Sequence, residues 1–215
     1  MYCSVIMIKG CLLLYASCLS EGASWPTNIN LDSTETMARI LEIAQLGAPA
    51  IRMRAEEVTD LHDPQLQTFI DDLFITASAT HGMGIAAPQV SVSKRIIVLS
   101  TRPNSRYPYA PTMEPTAMVN PEITWVSTEI EKDWEGCLTI PGLRGLVPRH
   151  QAIHVRYYAR NGIMVETPYD GFLARVFQHE VDHLDGVVFL DRVESTNDLV
   201  TEVEWKKIIA QRQHS

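Results

Sequence analysis

The pentapeptide HEVDH constrains this chain more than any other feature of its sequence. It lies in a segment with helical apolar spacing, which Asp170 can cap and Gly186 can end. His179 and His183 are then one turn apart on one side of the helix, where both imidazoles can bind a single ion. Glu180 can reach a water at that ion, so the helix predicts a catalytic metal site. Its apolar face comprises Leu173, Val176, Phe177, Val181 and Leu184.

Two histidines do not complete such a site, because a catalytic metal of this type has three protein ligands and a water. A metzincin would have a third histidine where this chain has Phe189, and a gluzincin would use a downstream glutamate such as Glu202 or Glu204. Upstream, Cys137 follows Gly136 in DWEGCLTIPG. It is the better candidate, because a thiolate is a strong ligand for borderline-soft divalent ions.

The distribution of cysteines agrees with a chemical role for this thiol. Cys3, Cys11 and Cys18 lie in the first eighteen residues, so Cys137 is the single cysteine of the remaining chain. One thiol cannot form an internal disulfide, and the body of the chain is therefore typical of a reducing compartment. Cys137 is then either a small buried side chain or a reactive group.

Composition and net charge exclude some classes of function. With 215 residues, 46% apolar and 20% charged, the chain fits one globular domain with a well-filled core. Its net charge of -8 argues against a protein that mainly binds nucleic acid, because phosphate contacts need a basic surface. We therefore expect a small or peptidic substrate.

Residues 1–36 differ from the rest of the chain. Their apolar run follows one lysine, as in a secretory signal, but no Ala-x-Ala site closes it and it is short for a membrane span. Met37 offers a second start. We therefore predict that residues 1–36 are an extension outside the catalytic domain, that residues 37–215 form the domain, and that the protein is cytoplasmic.

The remaining segments predict an α+β fold. DPQLQTFIDDLFITASATHG has helical apolar spacing, with Asp63 as N-cap and Pro64 at the first helical position. KRIIVLS and TAMVNPEI are strand-like, and AIHVRYYARNGIMVETPY has two strand-like halves around Asn161-Gly162, which is typical of a hairpin. Strands and helices do not alternate regularly, which favours mostly antiparallel strands around the central HEVDH helix.

A third segment has the composition of a substrate contact. HGMGIAAPQ leads from the first predicted helix through Gly82 and Gly84 to Gln89. Small residues let a substrate backbone approach closely, and a glutamine amide can donate a hydrogen bond to a developing oxyanion. The segment is therefore a candidate for both substrate binding and catalysis.

Together the three segments resemble the peptide deformylase family. That family has a G-x-G-h-A-A-x-Q segment, an E-G-C-L-S-like segment and a Q-H-E-h-D-H-L segment, where h is apolar. This chain has GMGIAAPQ, EGCLT and QHEVDHL in the same order. The resemblance extends from Met37 to about Asp191. Thr139 replaces the usual serine, and residues 1–36 are not part of the pattern.

The resemblance implies a hydrolase that removes the N-formyl group from the initiator methionine of new polypeptides and releases formate. It implies one divalent ion per chain, held by Cys137, His179 and His183, with water as the fourth ligand. It suggests Fe2+, with Zn2+, Ni2+ or Co2+ able to occupy the same site. The ligand types do not decide between these ions, because several of them accept thiolate and imidazole.

The resemblance also implies the groups that act on the substrate. Glu180 would be the general base and then the general acid. The side-chain amide of Gln89 and the backbone amide of Leu138 would stabilise the oxyanion together with the metal. The expected substrates are N-formyl-Met nascent peptides, met near the ribosome exit, without specific nucleic-acid recognition and without a membrane.

Substrate selection is expected to follow from shape. The methionine side chain needs an apolar pocket, for which Phe172, Val176 and the ring of His179 are candidates on the metal helix. Gly84 and Ile85 would pair with the peptide backbone as an added strand. A tight wall beside the metal would exclude acetyl groups, which carry a methyl where the formyl group has hydrogen.

Other charged residues receive structural interpretations. We expect Arg175 to lie on a solvated face of the metal helix in preference to the pocket mouth, and Arg144 to pair with Glu135. His154 alternates with apolar residues in a predicted strand and should point outward. The other histidines without a ligand-like neighbour are His62, His81, His150 and His214.

Two other function classes stay open. A zinc metallopeptidase would use the same helix with a different third ligand, and Cys137 would be dispensable for internal peptide-bond cleavage. A structural metal-binding module would fill all four positions with protein ligands. No fourth ligand is evident in the three segments.

Overall fold

The computed structural model describes residues 38–212, so the predictions for residues 1–36 and for His214 lie outside the described part. Its longer helices are α1 (Pro64–Ala79), α2 (Gly171–Leu184) and α4 (Glu202–Arg212), and α3 (Phe189–Arg192) is a single turn. Its strands are β1 (Gly84–Ala86), β2 (Ile96–Leu99), β3 (Thr116–Val126), β4 (Ile130–Cys137), β5 (Ile140–His150), β6 (Ala152–Ala159), β7 (Met164–Asp170) and β8 (Leu199–Thr201). Short 3-10 helices cover Pro49–Arg52, Ala87–Val90 and Thr196–Asp198.

The strands form two antiparallel sheets. The larger sheet has the order β1-β2-β3-β6-β7, and the smaller has the order β4-β5-β8. Helix α2 contacts strands of both sheets. The predicted α+β fold, with antiparallel strands around the HEVDH helix, is confirmed.

Strand β2 shows how the larger sheet separates two cores. All four of its residues are buried, and alternate side chains of a strand point to opposite faces. Ile97 packs with Phe177 of α2, whereas Ile96 packs with Ile70 of α1. The sheet therefore has α1 on one face and α2 on the other, and α2 contacts β1, β2, β6 and β7.

Helix α1 forms as its sequence predicts. Asp63 is the N-cap, and its side chain accepts a hydrogen bond of 2.9 Å from the backbone of Gln65, while Pro64 occupies the first turn. The helix ends at Ala79, with Thr80 as its C-cap. The predicted apolar face packs inward, with Leu66, Ile70, Leu73 and Ala77 buried.

The predicted hairpin is also present. Strands β6 and β7 pair from Ala152↔Asp170 to Tyr158↔Met164, and Asn161-Gly162 forms the turn between them. Gly162 has φ +81°, a conformation that glycine adopts without steric cost.

The ends of α2 differ in how far they follow the prediction. Asp170 stands at the N-cap, but its side chain makes no capping hydrogen bond. Gly186 ends the helix with φ +73°. A Cβ there would lie 2.7 Å from the backbone oxygen of Arg52, so the close packing of two chain segments requires a glycine.

The segment before α1 connects two parts of the site. The backbone N–H of Ala44 donates to the oxygen of Gln89 at 2.8 Å, and that of Leu46 donates to the oxygen of Thr139 at 2.9 Å. It therefore holds the Gln89 and Cys137 segments to one another. Within residues 38–212, no helix has the length and apolarity needed to cross a membrane.

Candidate metal centre and active site

Three predicted metal ligands converge in the structure. Cys137 ends β4, while His179 and His183 lie on α2, and their candidate ligand atoms are all within 4.8 Å of one another. The Cys137 Sγ lies 3.1 Å from the Nε2 of His183. Ligand atoms of a tetrahedral centre with these bond lengths are roughly 3.5 Å apart, so the three side chains fit one divalent ion. They form the one such group among the described residues.

Cys137 is in a setting that favours the thiolate. Burial raises the pKa of the thiol, but the imidazoles of His183 and His179 outweigh this and hold the pKa well below its ordinary value. The Oγ1 of Thr139 lies 2.9 Å from the sulfur, so the residue that replaces the family's usual serine still places a hydroxyl there. A thiolate is the form that binds metal.

Glu135 orients His179. Its Oε2 lies 2.9 Å from the Nδ1 of His179, which leaves the Nε2 of that ring to face the other ligands. Such a carboxylate behind a ligating histidine fixes the ring and its tautomer. Burial raises the pKa of Glu135, but Arg149 and His179 hold it below its usual range, so the carboxylate is charged.

The same carboxylate belongs to a buried ion network. Arg149 donates to Glu135 through Nε at 3.0 Å and Nη2 at 3.1 Å, and its Nη1 donates to Asp182 at 2.6 Å. Arg192 binds the other oxygen of Asp182 at 2.6 Å. Both carboxylates therefore have charged partners.

The prediction for Arg175 was wrong. Its side chain is buried, and it donates to Glu135 at 2.9 Å and to the backbone oxygens of Val147 and Glu131 at 2.8 and 2.7 Å. Helix α2 contacts β5 of the smaller sheet, so this face of the helix is covered instead of solvated. Arg175 also lines the cavity beside the metal ligands.

The predicted pair between Arg144 and Glu135 was also wrong. Glu135 is opposite Gly145 in the β4-β5 ladder, so Arg149, four residues further, points to the same face. Arg144 points to the other face. There it donates to the hydroxyl of Tyr107 at 2.9 Å, lies 3.5 Å from Glu202 and stacks over the ring of Trp205 at 4.6 Å.

Glu180 is a buried carboxyl group that is free for chemistry. Within the described residues its Oε2 has no hydrogen-bond partner, although the side chain is buried. Burial raises the pKa of Glu180 to about 7, against the lowering effect of His179 and His183. Gly84 makes room for it, because a Cβ at that position would lie 2.6 Å from Oε1.

The two predicted oxyanion donors lie at the same place. The Oε1 of Gln89 accepts the backbone N–H of Ala86 at 2.8 Å, so its NH2 group faces the sulfur of Cys137, 3.4 Å away. Leu138 directly follows the cysteine, and both Gln89 and Leu138 line the cavity. Each can present an N–H to a group bound at the metal.

A cavity of about 240 Å³ opens beside these groups. Of the predicted substrate contacts, Phe172, Val176 and Gly84 line it, whereas the side chain of Ile85 is fully buried in the core under α1. Strand β1 is at the edge of its sheet, so its backbone can still accept an added strand.

Sequence reasoning missed several residues of the cavity wall. Tyr107 comes from the loop between β2 and β3 and stacks against Phe172, with ring centroids 5.3 Å apart. Arg106 precedes it and also lines the cavity. No local pattern marks this loop. Glu135 was named only as a partner for Arg144, although a ligating histidine usually donates its other ring N–H to a carboxylate, a carbonyl or a water, which made a nearby acidic residue a candidate.

The positions of the alternative third ligands do not join the group of Cys137, His179 and His183. Phe189, where a metzincin would have a histidine, is buried in a core with Val188. Glu202 is beside Arg144, and Glu204 pairs with Lys207 at 2.7 Å. His154 is exposed, as predicted, and its ring lies against that of Trp125.

The three predicted ligand side chains converge beside a cavity and a buried carboxyl group that has no partner among the described residues. This arrangement fits the site of a metal-dependent hydrolase.

Comparisons with known proteins identify the family. A family model described as polypeptide deformylase matches residues 40–198. Peptide deformylase 2 of Nostoc sp. is 53% identical over 170 residues, which are 79% of this chain and 95% of that protein. Peptide deformylase 1 of Prochlorococcus marinus is 44% identical over 155 residues, or 72% of this chain and 81% of that protein.

Solved structures agree. A class I type b peptide deformylase from Acinetobacter baumannii, bound to Met-Ala-Ser, matches with a TM-score of 0.71 and 43% identity, over 73% of this chain and 100% of that one. A peptide deformylase from Synechococcus elongatus, in complex with actinonin, matches with a TM-score of 0.65 and 36% identity, over 74% and 81% of the two chains. The chain belongs to the polypeptide deformylase family.

Proposed function

We propose that the deformylation reaction of this family takes place between Cys137, His179, His183 and Glu180. The chain is a hydrolase of linear amides that removes the N-formyl group from nascent peptides. The observation that carries the assignment of residues is the convergence of three candidate ligand atoms within 4.8 Å, next to a buried carboxyl oxygen that has no partner among the described residues. Each of these groups meets one requirement of amide hydrolysis.

Cys137, His179 and His183 would hold the metal, since their ligand atoms lie within 4.8 Å of one another. A divalent ion held there would lower the pKa of a bound water and polarise the formyl carbonyl. Glu135 keeps the ring of His179 turned toward the ion through the 2.9 Å hydrogen bond to its Nδ1.

Glu180 moves the proton. It takes one from the attacking water and later gives it to the leaving amine of methionine, so formate and a free N-terminus are released. A carboxyl group whose pKa is near the working pH can do both, and burial raises the pKa of Glu180 to about 7. Its Oε2 is free for this role within the described part of the chain.

Gln89 and Leu138 stabilise the oxyanion. The amide oxygen of Gln89 is held by Ala86, so the NH2 group does not have to turn when negative charge develops on the formyl oxygen. The backbone N–H of Leu138 donates from the side of Cys137. Donors that are already oriented do not reorganise during the reaction, which makes them effective catalysts.

Shape selects the substrate. Phe172 and Val176 line the cavity and would take the methionine side chain, while β1 would pair with the peptide backbone beyond it. The Met-Ala-Ser bound to the Acinetobacter baumannii relative is a peptide of the kind that deformylation produces. Gly84 and Glu180 lie in close contact beside the proposed ligands, and they would form the wall that excludes the methyl of an acetyl group.

The remaining parts of the proposal concern cofactor and location. Fe2+ is the proposed metal, with Zn2+, Ni2+ or Co2+ as substitutes in the same site. The proposed substrate is the nascent chain as it leaves the ribosome in the cytoplasm. Residues 37–215 are the proposed catalytic domain, and residues 1–36 an extension to it.

Anaerobic purification followed by metal analysis and a formate assay tests this function. The holoenzyme should contain one ion per chain and release formate from formyl-Met-Ala-Ser, and acetyl-Met-Ala-Ser should be a far poorer substrate. Removing the ion with a chelator should abolish turnover, and adding Fe2+ or Ni2+ should restore it. Cleavage of internal peptide bonds without formate release would instead indicate a metallopeptidase.

A further inference from the structure

Arg106 is the cation of the cavity wall that lacks an acidic partner. Of the other two arginines there, Arg144 lies 3.5 Å from Glu202, and Arg175 lies 2.9 Å from Glu135. Within the described residues Arg106 forms no ion pair, and its Nη2 donates to the backbone oxygen of His81 at 2.8 Å. Among the described residues, Arg106 is therefore the arginine of the wall whose charge has no acidic side chain against it, in a chain whose net charge is -8.

A turn in the loop holds Arg106 in place. The Oδ1 of Asn104 accepts hydrogen bonds from the backbone N–H groups of Arg106 and Tyr107 at 2.9 and 2.8 Å. Tyr107 stacks on Phe172, and its hydroxyl accepts from Arg144. The backbone that carries Arg106 is thus fixed against the cavity wall before any ligand arrives, which reduces the ordering cost of binding.

The position of Arg106 corresponds to a particular part of the substrate. Gly84 lies against Glu180, at the metal, whereas His81 is exposed at the rim of the cavity. Gly84 and His81 are three residues apart, so these points are at most about 10 Å from one another. A peptide that adds to the edge of β1 advances about 3.3 Å per residue. With formyl-Met beside Gly84, a peptide that continues past the first residue of β1 would bring its third residue to Gly82 and His81, which precede the strand, next to Arg106.

We propose that Arg106 makes this enzyme prefer formylated chains with an acidic third residue over chains with a basic one. The inference rests on the proposed function, because it requires a formyl-Met peptide bound along β1. Arg106 is partly buried, and its guanidinium is already anchored to the backbone of His81. It attracts a carboxylate at that position and repels an ammonium group, in a site that is less screened than open surface.

The test compares three peptide amides, formyl-Met-Ala-Glu, formyl-Met-Ala-Gln and formyl-Met-Ala-Lys, on the metal-loaded enzyme. Amidation removes the terminal carboxylate, so the third side chain is the charge that varies. In the wild type, kcat/KM should be highest for the Glu peptide, lower for the Gln peptide and lowest for the Lys peptide. The ratio of kcat/KM for the Glu peptide to that for the Lys peptide, the Glu-to-Lys ratio, should be about two- to fivefold at low salt. The ratio should approach one in 1 M salt, where the screening length is about 3 Å.

Variants assign this preference to one side chain. Arg106→Gln should bring the Glu-to-Lys ratio close to one, and Arg106→Lys should keep most of it. Arg102→Gln is the matched control, because Arg102 is exposed on the same loop and does not line the cavity. It should leave both the ratio and the turnover of the Gln peptide as in the wild type.

Other outcomes would overturn the inference. A Glu-to-Lys ratio near one in the wild type would show that Arg106 does not select the third residue. A ratio that persists in Arg106→Gln would show the same. Formate release from the Gln peptide would in both cases leave the proposed function intact. A stronger effect for glutamate at the second residue than at the third would contradict the register along β1. Absence of formate from all three peptides would refute the function and the inference together.

Discussion

The site has an open side and a satisfied side. On the open side, the Oε2 of Glu180 has no partner within residues 38–212. On the satisfied side, Glu135 of β4 and Asp182 of α2 are each bound by arginines at hydrogen-bond distance. One carboxyl group is thus free to act on a substrate, while the carboxylates around it are fixed. We infer that the satisfied network positions the proposed ligands beside Glu180.

Loss of the thiolate should have the largest effect on the open side. In Cys137→Ser, a neutral hydroxyl replaces a strong anionic ligand, so the ion should be lost and formate release should fall to background. Metal analysis and the formate assay on the same preparation measure this, with circular dichroism to check folding. Full metal occupancy and normal turnover in this variant would refute the ligand set.

The substitution Glu135→Gln tests the satisfied side. The side chain keeps its size but loses the charge that binds Arg149, Arg175 and His179. We expect metal affinity to fall about 10- to 100-fold. The free energy of unfolding should fall by about 3–5 kcal/mol, because buried arginines lose their counter-charge. Metal titration and urea unfolding measure the two effects.

Glu122→Gln is the control for this experiment. Glu122 also pairs with an arginine, Arg156, at 2.7 Å, but both side chains are about half exposed. Its loss should change unfolding by less than about 1 kcal/mol and leave metal affinity as in the wild type. If both variants behaved alike, the buried network would not be what positions His179.

Truncation from the N-terminus should have the smallest effect, provided that it stops early enough. A chain that starts at Met37 should deformylate as fast as the full chain, because the backbone bonds of Ala44 and Leu46 to the site remain. A chain that starts at Gly47 loses those bonds. Its turnover should drop by roughly 10- to 100-fold, since small displacements of catalytic groups are costly. A large loss on removing residues 1–36 alone would place them in the domain.

The parts of the structure that the sequence predicted are the local ones. Helix α1, the β6-β7 hairpin and the two histidines of α2 follow from caps, turn residues and spacing within one segment. Cys137 was proposed as the third ligand from the chemistry of a thiolate, and the resemblance of three ordered segments then joined it and Gln89 to that helix, because contacts between distant segments leave no periodic signal.

The two wrong predictions, for Arg144 and Arg175, concern contacts between residues that are distant in the sequence. Whether Arg144 or Arg149 meets Glu135 depends on the register of β4 and β5, in which Glu135 is opposite Gly145. Whether Arg175 is solvated depends on the smaller sheet, which covers that face of α2. Neither the register nor the packing of a sheet on a helix can be read from helical spacing, which identifies only the apolar face.

The variant Glu180→Gln separates the binding of the metal from the transfer of the proton. In Glu180→Gln the three ligands Cys137, His179 and His183 are intact, so the variant should keep its ion and still bind substrate. Its kcat should fall about 100- to 10,000-fold, since the group that moves the proton is gone. Metal content and formate release from a formyl-Met peptide are measured for the variant and the wild type side by side. A metal-loaded variant nearly as fast as the wild type would contradict the role of Glu180 in proton transfer. A metal-free variant would show that Glu180 supports the binding of the ion instead of the chemistry.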